Sequence, residues 1–253
     1  MKGLLLAALI LASLPVQTMA ESRTVELASD PWCPHTCPGD PVHPGYMVEV
    51  ARRAFALSGL TVTYRGMSWT RAMSDTLEGR LDGIVGTLAS RAAALDLPQE
   101  GFGRNYYAFA VRHDDPWTLG GLDSLEERTI GAVQGYSYSP ALDPWMATHR
   151  DQIQALGGES ALDRNLRKLV AGRIDTVIED EIVLLYRLKT WPDANRIRVA
   201  GRIESGALYI AFSRRNGRGK DLARLFDSGV RTLRATGELD RILAWYGLRD
   251  RGR

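Results

Sequence analysis

Strand-like and helix-like segments alternate along this chain, and that alternation limits the fold more than any other feature of the sequence. Apolar residues recur at a spacing of two in some segments and at helical spacing in others. In the first part of the chain, the predicted strands are residues 24–29, 60–65 and 84–88, and the predicted helices are residues 45–57 and 69–78. This order predicts an α/β fold.

A second set of strands and helices follows and predicts a second lobe. Its predicted strands are residues 129–133 and 174–178, and its predicted helices are residues 139–149 and 161–171. No internal repeat, low-complexity tract or long linker separates the two sets. We therefore expect ordinary strands to join the two lobes.

Two alternating segments, residues 106–112 and 207–213, lie between the sets and are predicted to cross from one lobe to the other. The helical segment 221–246, divided at Gly237, is then expected to return to the first lobe. A two-strand hinge beside a cleft is the architecture of a ligand clamp that closes by rigid-body rotation. The predicted boundaries are 21–109 together with 207–253 for lobe 1, and 110–206 for lobe 2.

The run of residues 171–189 places an apolar strand, a cluster of carboxylates and an amphipathic helix in direct succession. Small molecules bind beyond the carboxyl ends of the strands in an open α/β sheet. Glu179, Asp180 and Glu181 are therefore expected where a polar solute would bind. The alternative is that these acids only cap the following helix and complement its dipole.

The first twenty residues have the features of a secretory signal peptide. Lys2 supplies a positive start, residues 3–14 form an apolar stretch, and Thr18-Met-Ala20 is a cleavage site of the small-x-small kind. We expect cleavage after Ala20 and, in a Gram-negative source, a soluble periplasmic protein. The remaining chain is long enough for one large domain or two lobes of ordinary size.

The charge balance gives no reason to expect a nucleic-acid partner. The sequence has 32 Lys and Arg residues against 30 Asp and Glu residues, which gives a formal charge of +2. The basic residues are scattered rather than clustered on one segment. We therefore expect a small molecule or a protein as the partner.

Both cysteines, Cys33 and Cys37, lie in one short loop bounded by prolines. In an oxidising compartment, this spacing predicts a local disulfide that contributes about 2 kcal/mol and mainly shapes the loop. Free thiols are one alternative. Another is a zinc or copper site made with His35 and His43, although the spacing matches no common zinc pattern. We expect no cofactor and no metal.

Six segments along the chain resemble landmarks of one known family, in their usual order. They are Gly45-Tyr-Met-Val-Glu-Val-Ala, Gly79-Arg-Leu-Asp-Gly-Ile-Val-Gly, Ile130-Gly-Ala-Val-Gln-Gly-Tyr-Ser, the run AGRIDTVIEDE from Ala171, Tyr209-Ile-Ala-Phe-Ser, and Thr236-Gly-Glu-Leu-Asp-Arg-Ile-Leu-Ala-Trp-Tyr-Gly. The chain resembles the bacterial extracellular solute-binding proteins of family 3, the amino-acid-type receptors of ABC importers. This resemblance implies a monomeric two-lobed periplasmic binding protein fold, type II-like, that binds a small polar solute for a membrane permease.

The resemblance also assigns candidate ligand-binding residues. Asp180 would pair with a ligand amine, and Ser137, next to Tyr136 at a helix start, would bind a carboxylate. Trp32 lies where the family places an aromatic ring against the ligand, with ordinary packing as its alternative role. The other candidates on the cleft side are Trp69, Arg71 and Thr87.

The chain departs from the family in the residue that would hold a ligand carboxylate. Family members place an Arg a few residues after a Ser/Thr-rich strand end, whereas the segment 86–91 here is shorter and lacks that spacing. Arg91 or Arg71 can take this role, because guanidinium is a bidentate partner for carboxylate. If Arg91 is only a solvated surface residue and Arg71 does not replace it, the ligand need not be an α-amino acid. Another small cation or polar metabolite is then expected.

Two other function classes fit the same sequence. A periplasmic enzyme of the dehydratase or lyase type could use cleft acids as general acid and base. No nucleophile elbow, zinc-protease helix or phosphate-binding glycine loop is present in the sequence to support catalysis. A ligand sensor for a membrane signalling partner is the other alternative. The primary expectation is a receptor without enzymatic activity.

Overall fold

The computed structural model describes residues 23–158 and 160–250, so the predicted signal peptide lies outside the described residues. The strands are β1 (Thr24–Ser29), β2 (Thr61–Gly66), β3 (Gly83–Leu88), β4 (Leu95–Asp96), β5 (Arg104–Arg112), β6 (Ile130–Val133), β7 (Ile153–Leu156), β8 (Thr176–Asp180) and β9 (Ile197–Ser213). The α-helices are α1 (Tyr46–Ala56), α2 (Trp69–Leu77), α3 (Leu142–Thr148), α4 (Ala161–Val170), α5 (Glu181–Leu188), α6 (Gly219–Ala235) and α7 (Glu238–Trp245).

The first lobe is built on strands β2, β1 and β3, which pair in parallel in that order. Helix α1 buries one apolar face that includes Met47, Val50 and Phe55, and α6 packs against it. Burial of such side chains contributes about 1.5–3 kcal/mol each. The two helices approach closely at Gly229, where a Cβ atom would lie 2.5 Å from the carbonyl oxygen of Ala54. The C-terminal helices therefore belong to the first lobe.

The second lobe is built on β8, β6 and β7, which are also parallel. Helix α4 packs on β6 and β8 and buries Leu166 and Leu169. Its apolar positions recur at helical spacing, which explains why this segment forms an amphipathic helix. The lobe therefore repeats the strand and helix arrangement that the sequence predicts.

Two antiparallel strands, β5 and β9, join the lobes. The first part of β9 pairs with β5, and its last part, from Leu208, pairs with β3 of the first lobe. Strand β5 in turn pairs with β8 of the second lobe. The segments 106–112 and 207–213 therefore belong to the strands that cross between the lobes. The predicted two-lobed α/β fold with two crossing strands is confirmed.

Several boundaries differ from the sequence prediction. Strand β9 begins at Ile197, well before residue 207, and β7 was not predicted. The helix expected over 139–149 begins at Leu142, because the Ser139 hydroxyl accepts the Leu142 amide and so precedes the first turn. Within the described ranges, no helix is long and apolar enough to cross a membrane.

Candidate functional site

A pocket lies between the lobes, at the carboxyl ends of β1, β3 and β6. It encloses about 360 Å³, counted with the open solvent at its mouth, and its interior is narrow. The loop after β1 and the end of β3 form one side, and the segment after β6 forms the other. The lining residues are Asp30, Trp32, Trp69, Gly86, Thr87, Leu88, Arg91, Tyr107, Tyr136, Ser137 and Leu208.

The structure brings most of the residues predicted from the sequence to this pocket. Those that line it are Trp32, Trp69, Thr87, Arg91, Tyr136 and Ser137. The rings form aromatic walls, because the Tyr136 ring meets Trp32 edge-on at 6.0 Å and Trp69 edge-on at 6.2 Å between ring centroids. Such walls favour a ligand with a flat, apolar or cationic part.

The two candidate arginines lie in different surroundings. Arg91 follows β3 in a short 3-10 turn, is exposed, and forms no hydrogen bond or ion pair with any residue in the described ranges. Arg71 is also exposed, but it does not line the pocket and pairs with Asp75 on its own helix at 3.6 Å. Arg91 is therefore the guanidinium available to a ligand in the pocket.

Asp30 lines the pocket and was not among the residues predicted from the sequence. It follows β1 directly, and the Tyr136 hydroxyl from the second lobe donates a hydrogen bond to its Oδ2 atom. Burial raises the pKa of Asp30 to about 6, although the Tyr136 hydrogen bond opposes the shift. The signal that could have indicated it is its position at the carboxyl end of a strand.

The hydroxyl groups of Thr87 and Ser137 are already engaged in the protein. The Ser137 hydroxyl donates to Asp143, whose other oxygen accepts the Tyr138 amide at 2.7 Å near the start of α3. Thr87 is buried, and its hydroxyl lies 3.4 Å from the Leu88 carbonyl oxygen. Each hydroxyl oxygen can still accept a hydrogen bond from a ligand.

Asp180 lies outside the lining of this pocket. Its side chain is 0% exposed, and its Oδ1 atom accepts the Val183 amide at 3.0 Å as the N-cap of α5. The same oxygen pairs with the Nε2 atom of His35 at 2.9 Å. Its Oδ2 atom is buried and has no hydrogen-bond partner among the residues that the structure describes. The structure therefore shows the capping role that the sequence left as the alternative.

Glu179 is also buried, whereas Glu181 is half-buried. The Oε1 atom of Glu179 accepts the indole N–H of Trp32 at 2.9 Å and the amide of Asp180 at 2.9 Å. Burial raises the pKa of Glu179 to about 8, and the negative charges of Asp180 and Asp30 add to the shift. Glu181 instead pairs with Arg202 at 2.8 Å.

The loop that supplies Trp32 and His35 is tightly built. Cys33 and Cys37 form the disulfide that the sequence predicts. The carbonyl oxygens of Pro34 and His35 accept the amides of Tyr46 and Met47 at the start of α1. A Cβ atom at Gly45 would lie 2.4 Å from the His35 carbonyl oxygen, and Gly45 has a φ of 97°. Glycine therefore permits the close contact between loop and helix.

The alternative metal site in this loop does not form with these partners. The two cysteines are bonded to each other, and the His43 ring stacks on Trp245 at 4.5 Å. His35 is held by Asp180 and, through Nδ1, by the Tyr46 hydroxyl at 3.0 Å. Among residues 23–158 and 160–250, no three His, Cys, Asp or Glu side chains are grouped to hold a metal ion.

Comparison with known proteins supports the fold through structure rather than sequence. No family model matches the sequence, and no curated protein matches it either. Among solved structures, a histidine kinase sensor domain with similarity to periplasmic binding proteins has 22% identity and a TM-score of 0.75, covering 90% of this chain and 98% of that one.

Two amino-acid-binding proteins are also similar in structure. An ancestral arginine-binding protein bound to arginine has 18% identity and a TM-score of 0.73, with 88% of this chain and 98% of that chain covered. The arginine-, lysine-, histidine-binding protein ArtJ from Geobacillus stearothermophilus has 16% identity and a TM-score of 0.72, with 89% and 96% covered. These similarities establish the two-lobed fold of periplasmic binding proteins.

Proposed function

We propose that this protein is a periplasmic receptor that captures a small polar solute, an amino acid or a related amine, and delivers it to an ABC permease. The observation that carries the proposal is the convergence of both lobes on one pocket that offers a carboxyl group, an unpaired guanidinium and aromatic walls. Pockets with a few convergent polar groups on apolar walls are typical of small-molecule sites. The lobe boundaries of 21–109 with 207–253, and 110–206, are part of the proposal.

Asp30 and Arg91 give the pocket groups of opposite charge. In this proposal, Asp30 holds a ligand cation through a charge-assisted hydrogen bond, and the rings of Trp32, Trp69 and Tyr136 add cation–π attraction. Arg91 offers two parallel donors to a ligand carboxylate. We therefore expect Asp30, rather than Asp180, to be the carboxylate that binds the solute inside the pocket.

Closure of the lobes supplies the transport signal. The hydrogen bond from Tyr136 to Asp30 crosses from the second lobe to the first, at the pocket itself. A ligand that contacts both lobes binds the closed state more strongly than the open state and so shifts the population toward closure. The closed monomer then presents a surface made by both lobes to the permease.

The similar solved structures indicate which ligand class to test first and which alternative function to consider. Two of them bind basic amino acids according to their names, which supports an amine as the first ligand class to test. The similarity to a histidine kinase sensor domain supports the alternative that the protein reports its ligand to a signalling partner. A third alternative, a dehydratase or lyase, would show turnover of the bound compound, whereas a receptor binds without turnover.

The first experiment is a thermal-shift screen of the chain that begins at Glu21 against amino acids, amines, small organic acids and sugars. A ligand that binds only the folded state raises the melting temperature. We expect shifts confined to amine-bearing compounds, with affinity then measured by calorimetry. No shift with any class would contradict the proposed solute, and pull-down from membranes would then distinguish a permease from a sensor.

Two matched variants test the proposed carboxylate anchor. Arg91→Ala is expected to weaken binding of a carboxylate ligand by about 1.5–3 kcal/mol, because a hydrogen bond to a charged group is lost. Arg71→Ala is the control, since Arg71 is also an exposed arginine but lies outside the pocket. Equal losses in the two variants would show that charge in general, rather than Arg91, affects binding.

A further inference from the structure

Two carboxyl groups of the second lobe are covered by side chains of the first lobe. Glu179 and Asp180 end strand β8 and are 1% and 0% exposed. Trp32 donates its indole N–H to Glu179, and His35 pairs with Asp180, each at 2.9 Å. Neither carboxyl group lines the pocket. The cover is therefore made by the protein itself.

The covering loop is fixed on its other side. The disulfide between Cys33 and Cys37 closes it, and His35 also contacts the Tyr46 hydroxyl of α1 through Nδ1. The rings of Trp32 and His35 lie against each other with centroids 4.4 Å apart. A loop held in this way places the Trp32 indole N–H and the His35 Nε2 atom against the second lobe, and no ligand is needed to position them.

A ligand ammonium at Asp180 would have to displace this cover. Breaking the contacts of Trp32 and His35 would leave buried polar groups without partners, which is unfavourable. Among the described residues that line the pocket, Asp30 supplies the carboxyl group and Arg91 the guanidinium. Asp30 and Arg91 can therefore contact a ligand in the pocket, whereas Glu179 and Asp180 cannot unless the loop moves.

We propose that the disulfide-closed loop keeps the carboxyl groups of Glu179 and Asp180 away from any ligand ammonium, so that the site selects an ω-amino carboxylate over the matching α-amino acid. This inference rests on the proposed solute-binding function and names its ligand class. The ligand carboxylate binds Arg91, and the terminal ammonium of the ligand binds Asp30. An α-ammonium beside the carboxylate is not needed. Trp32 and His35 are then the residues that determine this specificity.

Matched ligand pairs test the selection directly. L-Lysine and 6-aminohexanoate, like L-ornithine and 5-aminopentanoate, differ only in the ammonium group beside the carboxylate. Calorimetry with the wild-type protein is expected to show the ω-amino acid binding more tightly than its partner, by about tenfold, which is about 1.4 kcal/mol. An α-amino acid that binds as tightly as the matching ω-amino acid, or more tightly, would overturn the proposal.

Removing the cover provides the second readout. In a Trp32→Phe and His35→Asn double variant, the buried Oδ2 atom of Asp180 becomes reachable, and the preference should shift about tenfold toward L-lysine. His43→Ala is the matched control, because His43 lies in the same region but stacks on Trp245. If the double variant does not fold, His35→Asn alone, which uncovers Asp180 and keeps the Trp32 hydrogen bond to Glu179, replaces it. An unchanged preference in the folded variant contradicts the proposal.

The cover can also be tested without any ligand, which separates this inference from the proposed function. Carbodiimide labelling with a small amine, located by tandem mass spectrometry, should spare Glu179 and Asp180 in the wild type and modify them in the double variant. Exposed Asp114 serves as the reference that is modified in both. If none of the four compounds binds, the proposed amino-acid function fails. Labelling alone then tests whether the loop covers Glu179 and Asp180. Wild-type labelling of Glu179 and Asp180 at the rate of Asp114 would refute the cover.

Discussion

The acids at the ends of β1 and β8 face the same cleft from different lobes, but only the acid of β1 reaches the pocket. Asp30 remains partly exposed there, whereas Glu179 and Asp180 are covered by Trp32 and His35. Both ends satisfy the rule that ligands bind beyond the carboxyl ends of strands. The difference shows that a neighbouring loop decides which of the acids at a strand end can bind a ligand.

The largest expected effect comes from removing the partner of Asp180. His35→Ala removes a hydrogen-bond partner from the buried Asp180 carboxyl group and leaves a cavity in place of a fully buried ring, so the free energy of unfolding should fall by about 3–5 kcal/mol. Chemical denaturation measures this loss, with His43→Ala as a control expected to change stability by less than about 1 kcal/mol.

A double variant distinguishes a charge effect from a packing effect at the same position. Adding Asp180→Asn to His35→Ala replaces the buried carboxyl group by a neutral amide whose oxygen can still accept the Val183 amide hydrogen bond. We expect the double variant to recover part of the lost stability, which a double-mutant cycle quantifies. Simple additivity of the two changes would show that His35 and Asp180 do not interact.

The next effect concerns the pH dependence that Glu179 gives to stability. Its pKa rises from an ordinary 4.5 to about 8 on folding. Below pH 4.5 both states are protonated, and between pH 4.5 and 8 only the unfolded state is ionised. Stability therefore falls as pH rises through this window, by about 1.4 kcal/mol per unit at most. Above pH 8 the dependence ends.

Glu179→Gln removes that dependence while its side-chain oxygen can still accept the Trp32 hydrogen bond. The variant should match the wild type near pH 4.5 and exceed its stability by about 2–4 kcal/mol at pH 8. Urea denaturation at several pH values measures the difference. Parallel stability curves for the two proteins would mean that Glu179 is solvated rather than covered.

A smaller effect is expected at Asp30, the acid that stays open. Asp30→Asn should weaken binding of an amine by about 2 kcal/mol, because the charge-assisted contact is lost. Affinity in the wild type should also fall below about pH 6, where Asp30 becomes protonated. Calorimetry of Asp180→Asn provides the comparison, with a change of less than about 1 kcal/mol expected. The reverse order would restore Asp180 as the amine partner.

The fold was predictable because its signals are local. Helix α1 ends near Gly59, α6 and α7 meet at Gly237, and both glycines have positive φ values that end a helix. Apolar spacing identified most strands as well. The first part of β9 was missed because Gly201 and Gly206 interrupt a segment whose stability comes from pairing with β5.

The candidate site was only partly predictable because its decisive contacts are distant in sequence. Trp69 and Arg91 could be proposed as site residues because each lies next to a recognisable strand end or helix start, and both line the pocket. The pairing of His35 with Asp180 joins residues 145 positions apart. No local pattern in either segment indicates that contact. The sequence thus located the cleft but not the side chains that cover part of it.

The smallest expected effect on stability comes from the disulfide that holds the covering loop. A Cys33→Ser and Cys37→Ser variant should lose about 1–2 kcal/mol, because the bond closes only a short loop. It should also shift ligand choice, by no more than the roughly tenfold expected from removing the cover itself, since the loop positions Trp32 and His35. We expect the variant to keep its fold by circular dichroism and to gain affinity for L-lysine relative to 6-aminohexanoate. A large loss of stability with unchanged ligand preference would show that the disulfide supports the fold rather than the cover of the β8 acids.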